Sequence, residues 1–210
     1  MSFIAVMTAA PTHKAAIKQA KGTTGGRKGY NASLFEGGIG VPFIARWPGK
    51  VPAGAVDDVS LISVVDLLPT FCEIAGAKLP SDYQPDGVSQ LSTLRGQTYP
   101  SRTKPLFWKY PSRWPASKGD PDHWVSFAVV DRTWKLVTNN DLSYVELYDI
   151  ASDPYEKNDL KDQHPEIVKQ LHNEREAWQK TLPAKPVGDV FSAERNSSSK
   201  VEKPKRDNNE

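Results

Sequence analysis

Ser33-Leu-Phe-Glu-Gly-Gly-Ile-Gly-Val-Pro-Phe-Ile-Ala-Arg-Trp-Pro-Gly-Lys50 joins a glycine-rich segment to a short apolar run. The run Val41 to Trp47 is closed by Pro48-Gly49, and its length and flanks predict a buried strand of a sheet covered on both faces. Upstream, residues 11–33 are rich in Gly, Thr, Lys and Ala and end in Thr23-Thr24-Gly25-Gly26-Arg27-Lys28-Gly29, an irregular loop placed to border a site. Downstream, Ser63 and Asp66 stand three apart ahead of Leu67, Leu68, Phe71, Ile74 and Ala75. That spacing predicts a capping-box start to a helix with one apolar face, ended by Gly76 as a left-handed cap. Strand, loop and helix make one α/β unit.

From Lys78 to Lys104, Pro80, Pro85 and Pro100 punctuate a polar stretch without sustained period, read as a linker or surface excursion. Composition then turns aromatic and β-branched. Leu106 to Tyr110, Val125 to Asp131, Trp134 to Thr138 and Tyr144 to Ile150 predict four successive strands of an antiparallel meander. After the turn signal Asp153-Pro154, Pro165 fits a first helical position and Glu166 the positive helix end. Ile167, Val168, Leu171, Trp178 and Leu182 recur at helical spacing, which predicts a helix packed across the meander. Beyond Pro183 the chain is mainly polar. The expected division is residues 1–103 as an α/β portion with linker, 104–183 as a small antiparallel-sheet-plus-helix domain, and 184–210 as a disordered polar tail.

With 210 residues the chain is long enough for a sizeable core, and its 38% hydrophobic content with six Trp, seven Tyr and seven Phe opposes wholesale disorder. Mean hydropathy is -0.54. Its 27 basic and 25 acidic residues nearly cancel, so no global field points to nucleic acid, and Lys203-Pro-Lys-Arg206 is too short to do so. No apolar run approaches the roughly 18 residues of a membrane span. The first residues lack the basic flank and apolar length of a signal peptide and read as a strand or a truncated end. Cys72, the one cysteine, forms no internal disulfide and gives no sign of compartment.

The run Ser33 to Lys50 resembles the sulfatase family, in which an aromatic-Glu-Gly-Gly loop leads into a core strand ending in Trp-Pro-Gly. The resemblance continues in order. Val65-Asp-Leu-Leu-Pro-Thr70 with Ala75-Gly76 looks like the helix that follows, and Asp86-Gly-Val-Ser89 like the segment after it. Trp134-Lys-Leu-Val137, Glu146-Leu-Tyr-Asp149 and Asp153-Pro154 are similar to the family's small C-terminal domain. The matches span roughly residues 10–183 and point to arylsulfatases and N-acetylgalactosamine-6-sulfatases. They imply the C-terminal portion of an alkaline-phosphatase-like α/β domain plus a small α+β domain with a four-stranded antiparallel sheet and a packed helix. They also imply hydrolysis of sulfate esters, chiefly of sulfated carbohydrate, with calcium or magnesium, in proteins often exported or periplasmic.

Sulfate ester hydrolysis needs a nucleophile, a cation to neutralise the sulfate oxygens and an acid for the leaving alcohol. The family's nucleophile arises from the first residue of Cys/Ser-x-Pro-x-Arg, which does not occur in this sequence. Cys72, in Phe71-Cys-Glu-Ile-Ala75, lacks the Pro and Arg offsets and reads as a buried small hydrophobe. Aligning Pro11-Thr12-His13 with the Pro-Thr-His that follows the family's Asp-Asn metal pair puts Thr8 and Ala9 in place of the ligands, a poor donor set for a hard cation. The sulfate-binding Lys, four residues ahead of the aromatic, is Asn31 here, with Lys28 three residues further upstream.

Lys28, Asn31 and His13 are therefore the candidate sulfate or substrate contacts. The alternatives are a solvated loop lysine beside Arg27, an uncharged donor at Asn31, and a surface loop residue at His13. Gly40 stands where family members often carry Arg, and Glu36 reads as loop architecture ahead of acid-base catalysis. His164 reads as a helix cap, and His123 and His172 as exposed or packed. Trp108, Tyr110, Trp114 and Trp124 either line a sugar cleft or fill the sheet face, the second being the ordinary role of strand aromatics. Three functions follow: a sulfatase C-terminal region catalytically incomplete in itself, a non-enzymatic carbohydrate-binding module, or a phosphate or phosphonate ester hydrolase of the same superfamily.

Overall fold

The computed structural model describes residues 24–29, 33–97, 102–110 and 125–183, with the backbone of 4–7. The chain divides after Arg175 into two compact units. Among the described residues no helix is long and apolar enough to cross a membrane.

In the first unit, β1 (Ile4–Met7) pairs antiparallel with β2 (Phe43–Arg46), Ala5 facing Ala45. The expectation of a strand covered on both faces does not hold. Residues of β2 alternate between half-buried and exposed, and Ile44 is 62% exposed. An apolar run signals burial only where a second layer lies over it.

A 3₁₀ turn, Val64–Asp66, leads into α2 (Leu67–Ala75), following the single helical turn α1 (Glu36–Ile39). The capping box is present: the Ser63 amide donates to Asp66 Oδ2 at 2.8 Å, and Gly76 closes the helix at φ 64°. The face that turns inward is not the apolar one. Asp66, Pro69 and Thr70 are buried, whereas Leu68 is 48% exposed, Phe71 is exposed and Cys72 is only half-buried. The cause is a polar hub. The Asp66 carboxylate accepts hydrogen bonds from the Ser63 and Val88 amides and pairs with Arg102 at 2.7 Å, and Thr70 Oγ1 accepts the Gln90 amide. The stretch beyond Lys78 carries α3 (Leu91–Leu94), whose two leucines are buried, so hydrophobic anchoring interrupts the surface path expected there.

The four expected strands form one antiparallel sheet in the order β3 (Leu106–Lys109), β4 (Phe127–Asp131), β5 (Trp134–Thr138), β6 (Val145–Asp149). Directly opposed residues share a face, so the register sorts the side chains into two sets. Phe107, Val129, Leu136 and Leu147 make one row, and Leu171, Ile167 and Val168 of α4 (Pro165–Thr181) pack on it, as the helical spacing predicts. Each such buried aliphatic side chain contributes on the order of 1.5–3 kcal/mol relative to exposure. The opposite face presents Ala128, Val137 and Tyr148, and against it lie Leu34 and Phe35. Trp108 and Tyr110 pack on the same cluster, which places these two aromatics in the sheet face. The second unit is described only through the end of α4 and Pro183.

Candidate functional site

The site grows from how the segment 24–40 is tied down. A turn brings the Arg27 amide to Thr24 O, and the Gly37 amide donates to Lys28 O at 2.6 Å. The two strands of this loop touch so closely that a Cβ on Gly37 would overlap Gly29 O and lie 2.5 Å from Lys28 O, which only glycine avoids. The Gly38 and Ile39 amides donate to Phe35 O, forming α1, while Leu34 and Phe35 anchor it as core residues, Phe35 with no exposed surface.

Charged side chains fasten the same segment to the sheet. Lys135 rises from the middle of β5 on the face that carries Tyr148, its register partner, and its side chain is fully buried. Its Nζ lies 2.8 Å from Glu36 Oε1 and 2.8 Å from Glu156 Oε1, an ion pair with each carboxylate. The Glu36 amide donates to Glu156 Oε2 at 2.7 Å. Burial pushes the Glu156 carboxyl above the ordinary range, and Lys135 and the Glu36 amide pull it only part of the way back. Glu36 is thus bound into the loop's architecture by both its carboxylate and its amide.

Lys28 is held by the same face. Its Nζ donates to Glu146 Oε2 at 2.7 Å and to the Tyr148 hydroxyl at 2.9 Å, and lies 4.1 Å from the Phe35 ring centroid. Tyr148 in turn donates to Glu146 at 2.6 Å. Burial, then the Glu146 carboxylate, drives the phenol far above its usual range, so it remains a donor. The alternative of a solvated loop lysine therefore does not describe Lys28.

Position 40 explains its own glycine. A Cβ there would come within 2.5 Å of Arg27 Nη1 and 2.6 Å of Glu36 Oε2, and Arg27 lies 3.8 Å from that carboxylate. The Arg27 guanidinium fills the space a side chain at 40 would take. His164 meets Trp134, ring centroids 4.9 Å apart, and its carbonyl accepts the Val168 amide at the start of α4. His172 approaches Arg175. Asn31, His13, Thr8, Ala9, His123, Trp114, Trp124 and the tail from residue 184 lie outside the described residues. Among the described residues no three His, Cys, Asp or Glu side chains converge as a cation-binding group.

Sequence reasoning missed Lys135, Glu146, Tyr148 and Glu156. The available signal was a lysine inside the otherwise buried run Lys135-Leu-Val-Thr138, since buried lysines are rare unless paired.

Residues 30–181 match the family model for N-sulphoglucosamine sulphohydrolase, C-terminal. The chain is 33% identical over 159 residues to an N-acetylgalactosamine-6-O-sulfatase of Bacteroides thetaiotaomicron, covering 69% of this chain and 28% of that protein. It is 31% identical over 194 residues to human steryl-sulfatase, covering 81% and 33%. A solved B. thetaiotaomicron chain from work on the metabolism of multiple glycosaminoglycans superposes with a TM-score of 0.57 at 27% identity, covering 74% of this chain and 32% of that one. Ps i-CgsB in complex with k-i-k-neocarrahexaose superposes at 0.53 and 25%, covering 70% and 30%. The chain thus spans about a third of the length of these relatives. The matched residues, the mixed α/β fold and the sheet that carries the Glu36-Gly-Gly38 loop agree: the chain belongs to the sulfatase family, of which it represents the C-terminal part.

Proposed function

We propose that this chain is the scaffold part of a sulfate-ester hydrolase of sulfated carbohydrate, presenting the Glu36-Gly-Gly38 loop, and that it is catalytically incomplete in itself. The observation that carries this reading is the commitment of the loop's charges. Lys28 is engaged by Glu146 and Tyr148, and Glu36 by Lys135, so both charges are already countered within the chain. Lys28, Asn31 and His13 remain this chain's candidates for substrate contact, with Lys28 held on the sheet by Glu146 and Tyr148.

The sequence supports incompleteness, since the Cys/Ser-x-Pro-x-Arg motif that supplies the family's nucleophile does not occur in it. The carbohydrate assignment rests on the sulfatase of N-acetylgalactosamine and the neocarrahexaose complex among the similar proteins. A boundary at residue 103 between an α/β portion and a sheet-plus-helix domain of residues 104–183 is part of this proposal, with Lys28 and Glu36 fastened to residues of β5, β6 and the turn at Glu156. The test is sulfate release by the purified chain from a chromogenic aryl sulfate and from N-acetylgalactosamine 6-sulfate, with calcium or magnesium supplied. No release is expected; sustained turnover would contradict the reading.

A further inference from the structure

We infer that Glu156 is a positioning residue for the Glu36-Gly-Gly38 loop, holding the backbone of Glu36 directly and its carboxylate through Lys135. The inference rests on the reading of that loop as part of a sulfatase site.

Three segments remote in sequence close into one ring. Glu156 Oε2 accepts the Glu36 amide at 2.7 Å, Glu156 Oε1 lies 2.8 Å from Lys135 Nζ, and that ammonium lies 2.8 Å from Glu36 Oε1. The amide captured is the first of α1, a donor that the helical turn leaves without an internal acceptor. One carboxylate therefore fixes both where the loop's peptide groups lie and which way its acidic side chain turns. The Glu36 carboxylate is drawn toward the sheet and neutralised there, with Arg27 at 3.8 Å on its outer side. An anionic ester approaching the loop then meets little uncompensated negative charge.

The arrangement is costly, and the cost points to function over stability. Glu156 has φ 54°, a left-handed conformation that costs a non-glycine residue on the order of 1–3 kcal/mol. The turn that enforces it is specific: the Glu156 amide donates to Asp153 O at 3.1 Å, and the Lys157 and Asn158 amides both donate to Asp153 Oδ2 at 2.8 Å. Two carboxylates also share one fully buried ammonium, although apolar groups of similar volume are often as stable or more so. What an apolar replacement does not supply is an acceptor aimed at the Glu36 amide. The Asp153-Pro154-Tyr155-Glu156 turn thus acts at a distance of 120 residues on the loop.

Hydrogen exchange on the full chain tests this, with Glu156→Ala and Glu156→Gln compared at pH 7. In Glu156→Ala, the Glu36 to Gly40 amides are expected to exchange about tenfold faster, the loss of roughly one charged hydrogen bond, while the Val129, Leu136 and Leu147 amides keep wild-type rates. Glu156→Gln retains an acceptor oxygen and is expected to restore loop protection to within about threefold. Unchanged loop exchange in Glu156→Ala, equal acceleration of loop and sheet, or a Gln variant as fast as the Ala variant would each overturn the inference. These rates do not depend on turnover, so failure here is distinguishable from failure of the proposed function, which sulfate release reports.

Discussion

Lys135 Nζ, with no exposed side-chain surface, lies 2.8 Å from Glu36 Oε1, ninety-nine residues away in the chain. The ammonium is the buried counterion of two carboxylates. Lys135→Met is expected to leave Glu36 and Glu156 facing each other without it and to destabilise the first unit by about 3–5 kcal/mol. Combining it with Glu36→Gln and Glu156→Gln removes the stranded charges and is expected to recover most of that loss. Denaturant unfolding of the single and triple variants measures both.

Glu156 also sets a pH dependence of defined sign. Its carboxyl is raised in the folded chain, chiefly by burial, so the folded state binds its proton more tightly than the unfolded one. Its contribution is fully present below the ordinary glutamate range near pH ~4.3 and is lost as pH rises through the raised folded value. The Asp57 and Asp141 carboxyls, lowered mainly by hydrogen bonds from Ser60 and Ser143, act in the opposite sense and only at lower pH. Thermal midpoints measured upward from pH ~4.3 are therefore expected to fall more steeply in the wild type than in Glu156→Gln. Parallel curves would remove Glu156 from the account.

Gly37→Ala inserts a methyl group where two backbone carbonyls already stand, Gly29 O and Lys28 O. Neither obstacle is the mobile end of a side chain, so the loop must open. The expected cost is about 1–3 kcal/mol, accompanied by loss of protection at the Gly37 amide, which donates to Lys28 O. Gly49→Ala is the contrast: the added carbon meets no atom within 4 Å, though φ 74° still strains it. Amide exchange at position 37 should separate the two variants.

Much of the architecture was legible because it is local. The meander shows in aromatic and β-branched runs at short spacing, the capping box in Ser63 and Asp66, and α4 in the recurrence of Ile167, Val168 and Leu171. Periodicity tells that a helix has two faces, and not which one this chain covers. In α2 the hydrogen-bonding hub of Asp66 and Thr70 turned the polar face inward and left Leu68 and Phe71 exposed, at 48% and 41%. The site was legible only in its first half. Glu36 was read as architectural, but its partners Lys135 and Glu156 come from a strand and a turn far away, joined only by folding. Arg27 occupying the space beside Gly40 was hidden for the same reason.

As proposed above, this sulfatase-family chain supplies a loop and its scaffold without a complete catalytic apparatus. Sulfate release by the purified chain, with calcium or magnesium present and N-acetylgalactosamine 6-sulfate as substrate, tests it most directly. The account predicts no release above the rate of the same mixture without protein. Sustained, protein-dependent turnover that survives repurification would contradict it.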